Sequence, residues 1–149
     1  MRLPRTLRLG ASDAESFDAA AEPGEWAVSG AFVFSDREPA LLMGREHRAF
    51  RGGFLGTGSF GWSSLVSVQE ISEAEYEAVV EALARHLLER YKAPGRAAAR
   101  AFAEEECKFA QSLCERPIGT LLAVEREFGP QGIVERFRTV ERPHELGGL

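Results

Sequence analysis

The helix predicted from residue 73 onward constrains this chain most, because independent local signals fix where it begins and which side it buries. Ser72 and Glu75 have the spacing of a capping box, in which each side chain accepts a hydrogen bond from the backbone N–H of the other. Ile71 and Tyr76 occupy the positions of a hydrophobic staple around that start. The apolar residues then recur every three or four positions until Pro94 and Gly95: Tyr76, Val79, Val80, Leu83, Leu87 and Tyr91.

A second helix is predicted from about residue 96 to residue 115, and Pro117 ends it. The residues expected on its core face are Ala98, Phe102, Phe109 and Leu113. Roughly 100° or more around the helix, a second face carries only small residues: Ala103, Cys107, Ala110 and Cys114. Two apolar faces imply two packing partners. Three partners are open for the small-residue face: the first long helix, the sheet of the same chain, or a second subunit. We assign this face as a candidate subunit interface.

The end of the chain predicts a β-hairpin. Residues 120–128 and 133–140 flank a Gly-Pro-Gln-Gly loop at 129–132. That loop pairs Phe128 with Ile133, Arg126 with Glu135, and Val124 with Phe137. A slip of one residue would place Glu127 opposite Glu135, so the charges favour the first register.

Three more strands are predicted at residues 2–9, 26–34 and 62–69, with a shorter helix opening at Pro39. Pro4 places the first strand at a sheet edge, since proline cannot donate to a neighbouring strand. The element order is β-β-α-β-α-α-β-β. We therefore expect one α+β domain over residues 1–149, with a mostly antiparallel sheet of about five strands and helices packed on one face.

Composition limits the partners that this chain can have. Its 149 residues include 18 basic and 23 acidic side chains, for a net charge of −5, which argues against a nucleic-acid partner. No apolar run is long enough to span a membrane, and the first residues lack the apolar stretch of a secretory signal. We expect a cytoplasmic protein without a membrane partner.

Histidine and cysteine positions predict neither a metal site nor a cofactor. His47, His86 and His144 are scattered singly, whereas zinc sites use closely spaced pairs. Cys107 and Cys114 are separated by about 10 Å along a helix, too far for a disulfide. The glutamates at 104–106 disfavour a reactive thiolate at Cys107.

A glycine-rich segment at residues 55–66 contains Gly56-x-Gly58-x-x-Gly61 and locally resembles the phosphate loop of protein kinases. The chain has lysine only at Lys92 and Lys108, and it lacks the catalytic-loop and metal-binding motifs of that family. A dinucleotide fold is also disfavoured, because the residues after these glycines predict a strand rather than a helix. The sequence therefore favours a protein without catalytic activity.

Two interpretations of this segment remain open. Arg45, Arg48 and Arg51 precede the glycines, and guanidinium and backbone N–H groups are both good donors to anions. Together with Gly56, Gly58 and Gly61 they form a candidate anion site. Alternatively, the glycines only allow a tight turn, above a core plugged by nearby aromatic residues: Phe50, Phe54, Phe60 and Trp62.

Three stretches together resemble a family of short bacterial proteins, known mainly from proteobacterial genomes, whose function is unknown. They are AAEPGEWAVSGAFVF, FRGGFLGTGSFGWSSL and CKFAQSLCERPIGTLLAVER. The resemblance implies a small soluble cytoplasmic protein, and it implies no activity, cofactor or catalytic residue.

The function predicted from the sequence is that of a noncatalytic accessory or assembly protein. It would bind another protein, first of all a second copy of itself as a homodimer, through the small-residue face or a free sheet edge. The alternative is a small-molecule binder or enzyme that holds an anionic ligand at the arginine and glycine segment.

Overall fold

A computed structural model describes residues 1–7 and 17–141, and within these residues the chain forms an α+β fold of two antiparallel sheets and three α-helices. The larger sheet has the order β1-β5-β6-β7, formed by β1 (Arg2–Leu7), β5 (Leu65–Glu70), β6 (Leu121–Gly129) and β7 (Gly132–Val140). The smaller sheet has the order β2-β3-β4, formed by β2 (Ala27–Val28), β3 (Phe54–Gly56) and β4 (Trp62–Ser63). The helices are α1 (Gly44–Gly52), α2 (Glu73–Arg90) and α3 (Arg96–Ser112). The α+β class with antiparallel pairing is confirmed.

Local sequence signals located the most regular elements correctly. The Ser72–Glu75 capping box is present at the start of α2. β6 and β7 pair in the predicted register, with Arg126 opposite Glu135 and Phe128 opposite Ile133. β1, which contains Pro4, lies at the edge of the larger sheet as expected. Residues 8 and 9 of that predicted strand lie outside the described residues, as does His144.

The strand predicted over residues 26–34 is wrong beyond Val28. Gly30 adopts a left-handed backbone with φ 84°, and the chain continues into a 3-10 helix, Ala31–Phe34. A Cβ at Gly30 would lie 2.7 Å from the Cβ of Leu55, so the close approach of β3 also requires glycine there. Similarly, Pro39 opens a short 3-10 helix, and α1 begins only at Gly44.

The strand predicted over residues 62–69 is divided between the two sheets. Its first part is β4, which pairs with the unpredicted strand β3, and its second part is β5, which pairs with β1 and β6. The Ser63 hydroxyl lies at the break, within hydrogen-bonding distance of the carbonyls of Leu65 (2.8 Å) and Leu7 (3.1 Å). This side chain satisfies backbone groups where the strand pairing changes.

The two faces of α3 are the reverse of those predicted. Ala103, Cys107 and Ala110 are fully buried in a core cluster with the apolar face of α2, and Cys114 is buried against the larger sheet. Because these side chains lie inside the chain's own core, the candidate subunit interface is corrected to an intramolecular contact. Small side chains on α3 leave room for the larger residues of α2, namely Val79, Val80, Leu83 and Leu87.

The smaller sheet contributes to both main core clusters. On one side, Ala27 and Phe54 pack with the valines and leucine of the larger sheet: Val66, Val68, Val124 and Leu122. On the other side, Val28 and Leu55 join the cluster that contains α2 and α3. The alternation of side chains along β2 and β3 thus links the larger sheet to the helix pair. No helix within residues 1–7 and 17–141 is long and apolar enough to cross a membrane.

We expect Ala103→Leu to lower the free energy of unfolding by about 1–3 kcal/mol, because the added isopropyl group has no space between α3 and α2. Ala98→Leu lies on the exposed side of the same helix and should change stability by less than about 0.5 kcal/mol. Urea denaturation of both variants measures the difference. Equal stability would contradict the close helix packing.

Candidate functional site

The glycine-rich turn binds an anion that the chain itself supplies, the carboxylate of Glu25. The backbone N–H groups of Gly58 and Ser59 donate to its Oε1 at 2.9 and 2.8 Å. The Ser59 hydroxyl donates to Oε2 at 2.6 Å, and so does the backbone N–H of Glu22, also at 2.6 Å. The backbone donors predicted for the glycine-rich turn are therefore present, and they bind the Glu25 carboxylate of the same chain.

The close fit of this turn explains its glycines. A Cβ at Gly56 would clash with Oε1 of Glu25, and one at Gly61 would lie 2.6 Å from the backbone of Ala20. Partial burial by itself raises the pKa of Glu25, but the hydrogen bonds from Ser59, Glu22 and Gly58 outweigh it and leave the pKa below the ordinary value of 4.5. The carboxylate is held as an anion.

The three arginines of α1 are not brought to this turn. Arg45 lies 3.5 Å from Asp18, and Arg48 and Arg51 are exposed. Within residues 1–7 and 17–141, no hydrogen bond or ion pair joins any of the three to the glycine segment. The structure thus favours the other interpretation of the glycines, and two of its aromatic residues, Phe50 and Phe54, are buried in the core.

A buried arginine forms the main polar contact in the interior, and sequence reasoning did not predict its burial. Arg126 is 1% exposed, and its Nε donates to Oε2 of Glu135 at 2.8 Å. Its Nη1 donates to the carbonyls of Phe50 (3.0 Å) and Gly53 (2.7 Å), and its Nη2 donates to the carbonyl of Ser29 (2.5 Å). The cross-strand pairing with Glu135 was predicted, but the contacts with distant carbonyls left no signal in the sequence.

Glu106 on α3 extends this polar cluster toward the surface. Its pKa is raised to about 7: burial is the largest cause, the nearby Glu135 carboxylate adds to it, and Arg126 partly offsets both effects. No hydrogen bond to its side chain is formed within the described residues. The cluster therefore contains a carboxyl group that titrates near neutral pH.

An exposed aromatic surface borders Glu106. We define the aromatic ridge as three side chains: Phe102 (43% exposed), Phe109 (40%) and Tyr91 (40%). Phe32 makes edge-to-face contacts with both Tyr91 and Phe102, at 5.4 and 5.5 Å between ring centroids. Phe109 contacts Phe137 of β7 in the same way, at 5.7 Å. The ridge thus runs along α3 to the free strand of the larger sheet.

Two candidate chemistries are a cysteine nucleophile and a metal site, and the described residues support neither. Cys107 and Cys114 are free and buried, and burial raises the pKa of each thiol to about 12. Residues 1–7 and 17–141 contain no group of three or more His, Cys, Asp or Glu placed to hold a metal ion. Neither thiol is therefore an activated nucleophile.

We expect Glu25→Ala to lower the free energy of unfolding by about 1–3 kcal/mol, because two backbone N–H groups of the turn lose their acceptor. Since the pKa of Glu25 is lowered on folding, this difference from wild type should shrink as the pH falls from 4.5 downward. Glu22→Ala is the matched control, because its exposed side chain makes no hydrogen bond to the turn. Urea denaturation at several pH values tests both points, and equal effects of the two variants would contradict the assignment.

Glu106 should make stability fall as the pH rises. Between pH 4.5 and about 7 the folded chain holds a proton that the unfolded chain has lost, so the free energy of unfolding decreases by on the order of 2 kcal/mol. Glu106→Gln should remove this slope, and Glu105→Gln on the exposed side of α3 should keep it. Denaturation at about pH 5 and about pH 8 measures the slopes. An unchanged slope in Glu106→Gln would show that another group is responsible.

Comparison with known proteins identifies a family without an assigned activity. No curated protein matches the chain, and no solved structure matches it. Residues 1–147 match the family described as "Family of unknown function (DUF6505)". Because the match covers nearly the whole sequence, the chain belongs to this family of unknown function.

Proposed function

We propose that this chain is a noncatalytic accessory or assembly protein of the bacterial cytoplasm, which works by binding a protein, first of all a second copy of itself. The observation that carries the proposal is the aromatic ridge. Phe102 and Phe109 expose 43% and 40% of their surface although they lie in the middle of a long helix. Partly exposed aromatic side chains grouped on one face are typical of protein interfaces.

A second copy of the chain would be a symmetric partner for the aromatic ridge. Phe102 and Phe109 lie two helical turns apart on one face of α3, with Glu106 between them. If two α3 helices pack antiparallel about a two-fold axis, Phe102 of each copy lies against Phe109 of the other. Aromatic pairs of this kind supply much of the binding energy in small interfaces.

The outer edge of β7 supports the same proposal. β7 has nine residues, and its only strand partner within residues 1–7 and 17–141 is β6. Phe137 of this strand contacts Phe109, so the free edge and the ridge are neighbours. A free edge provides backbone donors and acceptors that a second strand can pair with.

We expect the wild-type protein to form a dimer that dissociates on dilution, as measured by size-exclusion chromatography with light scattering. The double variant Phe102→Ser, Phe109→Ser should weaken the dimer by about tenfold or more, because the apolar contact is lost. Leu41→Ser is the control, since Leu41 is 70% exposed and lies in a different segment. A wild-type protein that stays monomeric at every concentration would exclude the second copy, and an equal effect of Leu41→Ser would exclude the ridge.

A further inference from the structure

A cavity of about 430 Å³ lies between α2 and α3, well apart from the glycine turn in the sequence. It is lined by Glu81, Ala84, Arg85, Leu88, Arg96 and Arg100. Three of these six side chains are arginines, in a chain whose net charge is −5. The positive charge is thus concentrated against the overall balance of the molecule.

The arginines of this cavity are not equally neutralised. Arg100 forms ion pairs with Glu77 and Glu81, and its Nε lies 3.9 Å from a carboxylate oxygen of Glu104, so its charge is neutralised within the chain. Arg85 and Arg96 form no ion pair or hydrogen bond within the described residues. Two guanidinium groups therefore keep their donors available for an external anion.

The start of α3 adds to the positive potential. Arg96 is the first residue of this helix, which has no side-chain cap and no acidic residue in its first turn. α2, in contrast, has a capping box and two glutamates in its first turn. An arginine beside the positive end of a helix dipole is unfavourable by itself, and a bound anion would be attracted by both the guanidinium group and the helix end.

We infer that this cavity binds a small molecule that carries a phosphate group. The dianion matches the two unpaired guanidinium groups in charge, and each guanidinium can hold two phosphate oxygens. Leu88 and Ala84 supply an apolar wall beside the arginines, so the ligand has an apolar part next to its phosphate. The volume of the cavity falls within the roughly 300–1,000 Å³ of small-molecule sites.

This site replaces the anion site predicted from the sequence. That prediction used the arginines of α1 and the glycine turn, but Glu25 already occupies the turn. The inference is independent of the proposed self-association, because the ridge and the cavity share no residue.

The test is to titrate the full chain with phenyl phosphate and, separately, with inorganic phosphate at constant ionic strength. Binding is monitored by the amide NMR shifts. We expect shifts centred on residues 81–88 and 95–100, with phenyl phosphate bound more tightly than inorganic phosphate. The double variant Arg85→Gln, Arg96→Gln should lose about tenfold or more in affinity. Both side chains are exposed, so the variant should keep its fold, which the remaining amide shifts verify directly.

The matched control is Arg48→Gln, Arg51→Gln, which removes two exposed arginines of α1 and should leave affinity unchanged. An equal loss in both double variants would overturn the inference, because it would indicate a general effect of charge. Absence of binding to wild type, or shifts centred elsewhere, would overturn it as well. The variant Phe102→Ser, Phe109→Ser should bind phenyl phosphate normally, so failure of the self-association proposal is distinguishable from failure of this one.

Discussion

The buried guanidinium of Arg126 is the contact on which the rest of the structure depends. Burying an arginine is costly unless its charge is paired and its donors find acceptors. Here Glu135 pairs the charge, and carbonyls from α1, from the loop before β3, and from the residue after β2 take the remaining donors. One side chain of β6 therefore joins the neighbouring strand β7 to two segments that are distant in the sequence, at Ser29 and at residues 50–53. The carbonyls at the C-terminal end of α1, which have no partner within the helix, receive a positive group.

The same contact influences the pKa of Glu106, which burial raises most. Glu135 accepts from Arg126 and from the Ser29 hydroxyl, so one positive charge serves a cluster that contains two carboxyl groups. Only one of the carboxylates can be fully compensated, and it is the one that lies opposite Arg126 on the neighbouring strand. Glu106 keeps its proton to a higher pH mainly because it is partly buried, and the Glu135 carboxylate adds to this effect. Because Glu106 lies between the two phenylalanines of the aromatic ridge, the charge of the ridge depends on an interaction in the core.

The sequence allowed elements with local signals to be predicted and left the others open. The start of α2 follows from four residues within positions 71–76, and the register of β6 and β7 follows from a short turn with complementary charges. The strand after Trp26 was predicted too long because Gly30 bends the chain to accommodate Leu55, a residue that is distant in the sequence. The donors of the glycine turn were predicted, but their acceptor lies more than thirty positions earlier, at Glu25. A local pattern shows which groups a segment can present, and only the fold shows which other groups contact them.

The reversed faces of α3 explain both surfaces proposed for binding. Size alone favoured the phenylalanines for the core, because larger apolar side chains gain more from burial. Packing against α2 required the opposite choice, since the valines and leucines of α2 fill the space that Ala103, Cys107 and Ala110 leave. The phenylalanines are consequently directed outward and form the ridge. At the N-terminal end of the same helix, Arg96 and Arg100 lie at helical spacing from the small residues and so belong to the same face. The face that packs closely against α2 through its alanines therefore ends at the arginine-lined cavity.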